Sequence, residues 1–150
     1  MFRLLSDLEV TLNELLVACR ESIDHFRDAT RIIAAERMAQ DLKQIADARE
    51  YFIPKLENQI RELGDLPAMP DPDKEDSEML IHHIGAAVSD DYTHTLLQQR
   101  IEAEKNILVL IEQTKNNDED KACGNLLEDL ELQVKNAIEK LSVLAAQSPL

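Results

Sequence analysis

A chain of 150 residues, 44% hydrophobic and 31% charged, is long enough to bury a core without disulfides and too apolar to be disordered. Its formal charge of −14 would be repelled by the phosphates of nucleic acid and of an anionic bilayer, so neither is expected as a partner. Only three Gly, 3% aromatic residues and no Trp argue against a sheet-rich fold, whereas good helix formers dominate.

No run approaches the roughly 18 consecutive apolar residues that a spanning helix needs. Met1-Phe2-Arg3-Leu4-Leu5 leads into amphipathic sequence without a signal-peptide pattern. Cys19 and Cys123 suit a reducing compartment as unpaired thiols, and a cytoplasmic location is expected.

The first helix opens on Ser6 and Glu9, the spacing of a capping box, with Leu5 and Val10 placed as a hydrophobic staple. From Leu5 an apolar stripe runs through Leu8, Leu12, Leu15, Cys19, Ser22, Phe26, Ala29 and Ile33 in steps of three and four. A turn is expected near Ile33 to Glu36. The second stripe reads Met38, Leu42, Ile45, Arg49, Phe52, Leu56, Gln59 and Leu63, with Gly64 as its C-terminal stop and Pro54 as a kink inside it.

Residues 65–77, with Pro67, Pro70 and Pro72 among acids, form the linker of the chain. Fully extended, about a dozen residues reach roughly 40 Å, enough to run the length of a bundle, so a crossover and a simple up-and-down order both fit. A short helix over 78–88 follows, and Ser89, Asp90 and Asp91 then cap a third long helix. That helix carries Leu97, Ile101, Glu104, Leu108 and Ile111 and stops near Lys115 to Asn117. The last helix is expected from Asn117 or Asp118, on the stripe Cys123, Leu127, Leu130, Val134, Ala137, Leu141 and Leu144. Four such stripes predict an all-α, antiparallel four-helix bundle with one short extra helix, filling 1–150 as a single domain.

Two charged residues stand where the stripes call for apolar ones, Arg49 and Glu104. A lone buried charge is costly, so the economical arrangement has them meet in the core, with Glu21, Asp24 or Glu131 reaching in. A drifting period would instead leave both at the core's edge, snorkelling to water.

The histidines do not make the pattern of a carboxylate-bridged di-metal bundle, which takes Glu-x-x-His on two of its helices. Three residues before His25, His82, His83 and His94 stand Ser22, Met79, Leu80 and Asp91. Asp91 and His94 come closest, in a first turn where Asp is ordinary capping chemistry. A metal site would have to be built from carboxylates alone, Glu21, Asp24, Glu104, Glu128 and Glu131, favouring hard cations. His82-His83-Ile84-Gly85 distantly echoes a histidine phosphotransfer domain, without the Lys that follows the His there. No phosphate loop, zinc spacing or nucleophile elbow is present.

Leu12-Asn13-Glu14-Leu15-Leu16, Cys19-Arg20, Phe26-Arg27 and Ala29 together resemble the first helix of an uncharacterised bacterial four-helix-bundle family, classed as ferritin-like domains of unknown function. The likeness continues through Arg49, the run from Leu56 to Leu63-Gly64, the short helix before Ser89-Asp90-Asp91, and Glu102 to Glu104. It spans about Leu12 to Leu144. The resemblance implies a ferritin-like fold and leaves activity open, since fold is not function. The chain departs from that family at His25, where a Gly tends to precede the Phe, at Arg31 in place of a Glu, and at Ile138 in place of an inward His. Arg31 and Ile138 each replace a potential ligand.

The expected function is therefore that of a bundle without metal or other cofactor, non-catalytic, working through contacts with a protein partner or a second copy of itself, in stress physiology by analogy of fold. Arg49 would hold the carboxylates that a metal holds elsewhere. The alternatives are a carboxylate-bound metal oxidase or store, and a phosphotransfer module using His82 or His83.

Overall fold

The computed structural model describes residues 6–69 and 90–147, with the side chains of Asp90 and Asp91 left aside. Among the described residues there are five α-helices and no strand: α1 (Asp7–Ile32), α2 (Glu36–Glu50), α3 (Ile53–Glu62), α4 (Asp90–Asn117) and α5 (Leu126–Gln147). None of them is long and apolar enough to cross a membrane. Leu5, the short helix expected over 78–88 and the Ser89 cap lie outside the described residues.

Helix α1 begins where the cap places it. The Ser6 hydroxyl accepts the Glu9 N–H at 3.2 Å, satisfying one of the backbone donors a helix start leaves open. The turn falls at 33–35, as the sequence predicts.

The second rod differs from expectation. It is two helices, because the chain breaks at Tyr51 and Phe52 instead of bending at Pro54. Proline has no N–H to give the carbonyl four residues back, and its ring crowds that carbonyl. Placed within the first turn of a new helix, it loses nothing, since those N–H groups have no helical partner. The Phe52 N–H closes the break tightly on the Arg49 carbonyl at 3.0 Å. One register detail also shifts. Ile60, not Gln59, is fully buried near the end of α3.

Helix α3 ends in a Schellman turn. Gly64 adopts φ +92°, its N–H bonds the Arg61 carbonyl at 2.9 Å, and the Asp65 N–H bonds the Ile60 carbonyl at 3.1 Å. The chain beyond is tied back to α1. Asn13 donates to the Asp65 carboxylate at 3.1 Å and accepts the Ala68 N–H at 2.8 Å.

The last helix starts at Leu126, later than the acids at 118–120 suggest. Asp118 caps a turn, not a helix: its carboxylate accepts the N–H of Ala122 at 2.7 Å and of Cys123 at 3.0 Å. Such local bonding competes with helix formation. Lys121 and Gly124, both in the left-handed region, complete the turn, and Glu128 and Asp129 become the first-turn acids of α5.

The helices pack as a ring. Helix α1 lies against α2, α3 and α4; α4 lies against α5; α5 closes onto α2. Thr11 near the start of α1 meets Asn117 at the end of α4, while Asp28 near the end of α1 lies within electrostatic reach of Tyr92 at the start of α4. The core inside the ring comes in two apolar halves. One gathers Leu12, Leu16, Phe52, Leu56, Ile111 and Leu130; the other gathers Phe26, Leu42, Leu97, Ile101 and Leu141. Ile53 and Ile138 touch both.

Gly64→Ala is expected to lower stability by about 1–2 kcal/mol, because a Cβ is disfavoured at this left-handed position. Urea denaturation monitored by helical circular dichroism measures the change in midpoint.

Candidate functional site

What separates the two halves of the core is one polar layer. Along α1 it falls at Ser22, between Cys19 and Ile23; on α2 at Arg49, between Ala46 and Phe52; on α4 at Glu104, between Ile101 and Ile107; on α5 at Gln133, between Leu130 and Ala137. Each of the four rods supplies one residue at the same height. The stripe on α2, with Leu42, Ile45 and Ala46 buried, carries Arg49 inward at the next helical step.

Arg49 and Glu104 are both 0% exposed. The guanidinium meets the carboxylate side-on: Nη1 donates to Oε2 at 3.0 Å and Nη2 donates to Oε1. Nη1 also donates to the Ser22 hydroxyl at 2.9 Å, and Nε donates to the Gln133 amide oxygen. Ser22 in turn donates to the Cys19 carbonyl at 2.8 Å. Both carboxylate oxygens and every guanidinium nitrogen are therefore engaged. A fork of two parallel charge-assisted bonds is the strongest geometry such a pair has.

The sequence expectation of a core network around Arg49 and Glu104 needs correction in its other members. Glu131 does not reach in. It lies at the surface, 3.1 Å from Lys115 Nζ and 3.7 Å from Lys135 Nζ. The bond from Lys115 holds its carboxyl below the usual glutamate range. Glu128 is exposed, and Glu21 and Asp24 are half-buried on α1, flanking Ser22. The Arg49 bonds that complete the layer go to Ser22 and Gln133 instead. Ser22 interrupts the α1 stripe and was visible in sequence, whereas Gln133 sits one place before the stripe residue Val134 and gives no sequence signal.

The five carboxylates weighed as a metal site also do not converge. Glu104 is committed to Arg49, Glu131 to lysines, and Glu128 faces water. Among the described residues no group of three His, Cys, Asp or Glu side chains is placed to hold a metal ion. His82 and His83 lie outside the described residues. His94 is half-buried near the start of α4. Arg31 is exposed, and Ile138, half-buried, packs against both core halves.

Cys19 lies one helical step below the layer. Burial pushes its thiol up to about 12, the Arg49 charge offsetting part of that and Glu104 adding to it. Cys123, beside Asp118, is also pushed up to about 12, chiefly by burial. Neither thiol forms the thiolate that nucleophilic chemistry needs near neutral pH.

On the outer side of Ser22 a cleft of about 260 Å³ opens between α1 and α4, with Arg100, His25 and Asn106 on its walls. Burial pushes the Arg100 guanidinium below its ordinary range, against the opposing pull of Glu104.

No protein-family model, curated protein or solved structure matches the chain.

Arg49→Met should cost about 3–5 kcal/mol, since it strands Glu104 in the core, and Glu104→Leu should cost as much by stranding Arg49. The double variant should recover most of that loss, because a well-packed apolar pair can replace a buried ion pair at little or no cost. Chemical denaturation of the four proteins gives the cycle. In the folded protein neither cysteine should react with a thiol reagent at pH 8, and both should react once urea unfolds it.

Proposed function

We propose that this chain is a ferritin-like, antiparallel four-helix bundle that works without a metal or other cofactor, through contact with another protein or a second copy of itself. The observation that carries the reading is the polar layer. In a di-metal bundle, inward carboxylates and histidines at mid-height hold the ions. Here the mid-height position is filled by a guanidinium, and the inward carboxylate Glu104 is bound to it on both oxygens.

The end contacts support the bundle connectivity. The chain leaves α3 beside Asn13 and enters α4 beside Asp28, at different heights along α1. That favours a crossover between the second and third rods, as ferritin-like folds have, over a simple up-and-down order.

The contact reading draws on the surface of α1. Val10, Val17 and Ala18, with Ala68 from the chain after α3, line an open apolar groove of about 490 Å³. Leu66 and Met69, in the same stretch as Ala68, are 81% and 84% exposed. Apolar side chains grouped on an otherwise charged surface mark a contact face more often than scattered ones do.

The test is elemental analysis of the purified protein with and without added iron and manganese, together with its melting temperature. No stoichiometric metal and an unmoved melting temperature are expected. Stoichiometric metal with a raised melting temperature would overturn the reading and restore a carboxylate-built centre. Light scattering of the full chain, compared with Val17→Glu, then separates self-association from a distinct partner: a dimer that the variant splits identifies a second copy.

A further inference from the structure

We propose that the cleft between α1 and α4 is a binding site for a small monocarboxylate, held by Arg100. The arginines differ in what they hold. Among the described residues four are buried or half-buried: Arg20, Arg27, Arg49 and Arg100. The first three each hold a carboxylate, Arg20 that of Glu57, Arg27 those of Asp47 and Glu50, and Arg49 that of Glu104. Arg100 holds none. No hydrogen bond or ion pair joins it to another described residue, and its Nε is buried without a partner.

Glu104, one turn along α4, is already bound on both oxygens by Arg49, and Glu102 is exposed and pairs with Lys105. A guanidinium N–H buried without an acceptor, as that of Nε is, carries its desolvation cost uncompensated. An incoming carboxylate supplies two oxygens in the fork geometry that guanidinium recognises.

The rest of the cleft fits the remainder of such a ligand. Asn106 adds a polar group, Ala18, Ala103 and Ile107 form an apolar wall, and Ser22 lines the cleft with its hydroxyl already donated to the Cys19 carbonyl. An apolar cavity of roughly 150 Å³ takes up benzene. A cleft of about 260 Å³ therefore has room for a carboxylate and a tail of ring or short-chain size. Ser22 also accepts from Arg49, so a ligand at this wall touches the polar layer itself. Glu21 lines the same cleft and opposes an anion there. The net negative charge of the chain opposes it from farther off, where salt screens it within about 8 Å at physiological ionic strength.

Sodium hexanoate titrated into the full chain, followed by amide NMR shifts and calorimetry, tests the assignment. Saturable shifts confined to Ser22, Ala103, Asn106 and their neighbours are expected, with no comparable response to hexanol or to inorganic phosphate. Arg100→Gln should weaken hexanoate roughly tenfold or more, the scale of a lost charge-assisted bond. Shifts that do not saturate, an affinity unchanged in Arg100→Gln, or hexanol binding as well as hexanoate would each overturn the proposal. Phosphate binding equal to hexanoate would overturn the apolar part of it. The shift map on the unaltered protein carries the test even if Arg100→Gln does not fold.

Discussion

The Arg49–Glu104 pair is the constraint around which the bundle is arranged. Two full charges at zero exposure bring a desolvation penalty of several kcal/mol each, which their attraction offsets only in good geometry with the remaining donors satisfied. The side-on fork meets the first condition, and Ser22 and Gln133 help to meet the second. Because those four residues come from all four rods, their relative heights are coupled. Sliding α4 by one turn against α2 would set Arg49 against Ile101 or against Leu108 and strand both charges. The apolar halves above and below would tolerate such a slide far better, since Leu, Ile and Val exchange contacts at modest cost.

The pair also explains where the chain breaks its second rod. Arg49 is the last buried residue of α2, and Phe52, three residues on, already belongs to the other half of the core. The break at Tyr51 and Phe52 that Pro54 imposes therefore falls beside the polar layer. Two helices of modest length, each packed on α1, hold one apolar half apiece. The two-residue link between them positions the guanidinium at their junction.

The all-helical packing of the rods was legible because helical periodicity is a strong signal. Every described residue of the first stripe is buried, from Leu8 to Ile33, and so is the whole stripe from Cys123 to Leu144. Arg49 and Glu104 were legible for the converse reason, as charges at apolar positions. What the sequence hid depends on geometry that periodicity does not encode. Asp118 reads as a helix-starting acid, yet its carboxylate closes a turn, and which backbone N–H groups it captures is decided by the path into α5. Gln133 looks like any flanking residue of α5; only the height of Arg49 across the bundle brings it inward. Glu131, two residues earlier, points round the helix toward Lys115, which explains why a carboxylate was the wrong choice for that wall.

The layer's chemistry bears on what such a protein can do. A buried carboxylate with a free oxygen can accept a proton or ligate a cation; Glu104 has none free, and the nearest thiol is held protonated by burial. The hydroxyl of Ser22 is engaged at both ends, donating to a carbonyl and accepting from Arg49. A centre so fully satisfied resists change, because any reaction at one member would unpair another inside the core. Action at the exterior avoids that obstacle. The exposed apolar groove of α1 and the cleft beside Arg100 each leave surface or charge uncommitted, and both lie on the helix that also contributes Ser22 to the layer. A satisfied interior and an open groove on α1 are then two consequences of one arrangement: the charges that fix the helices in register are engaged inside the core, and the α1 face they hold in place keeps its apolar side chains at the surface.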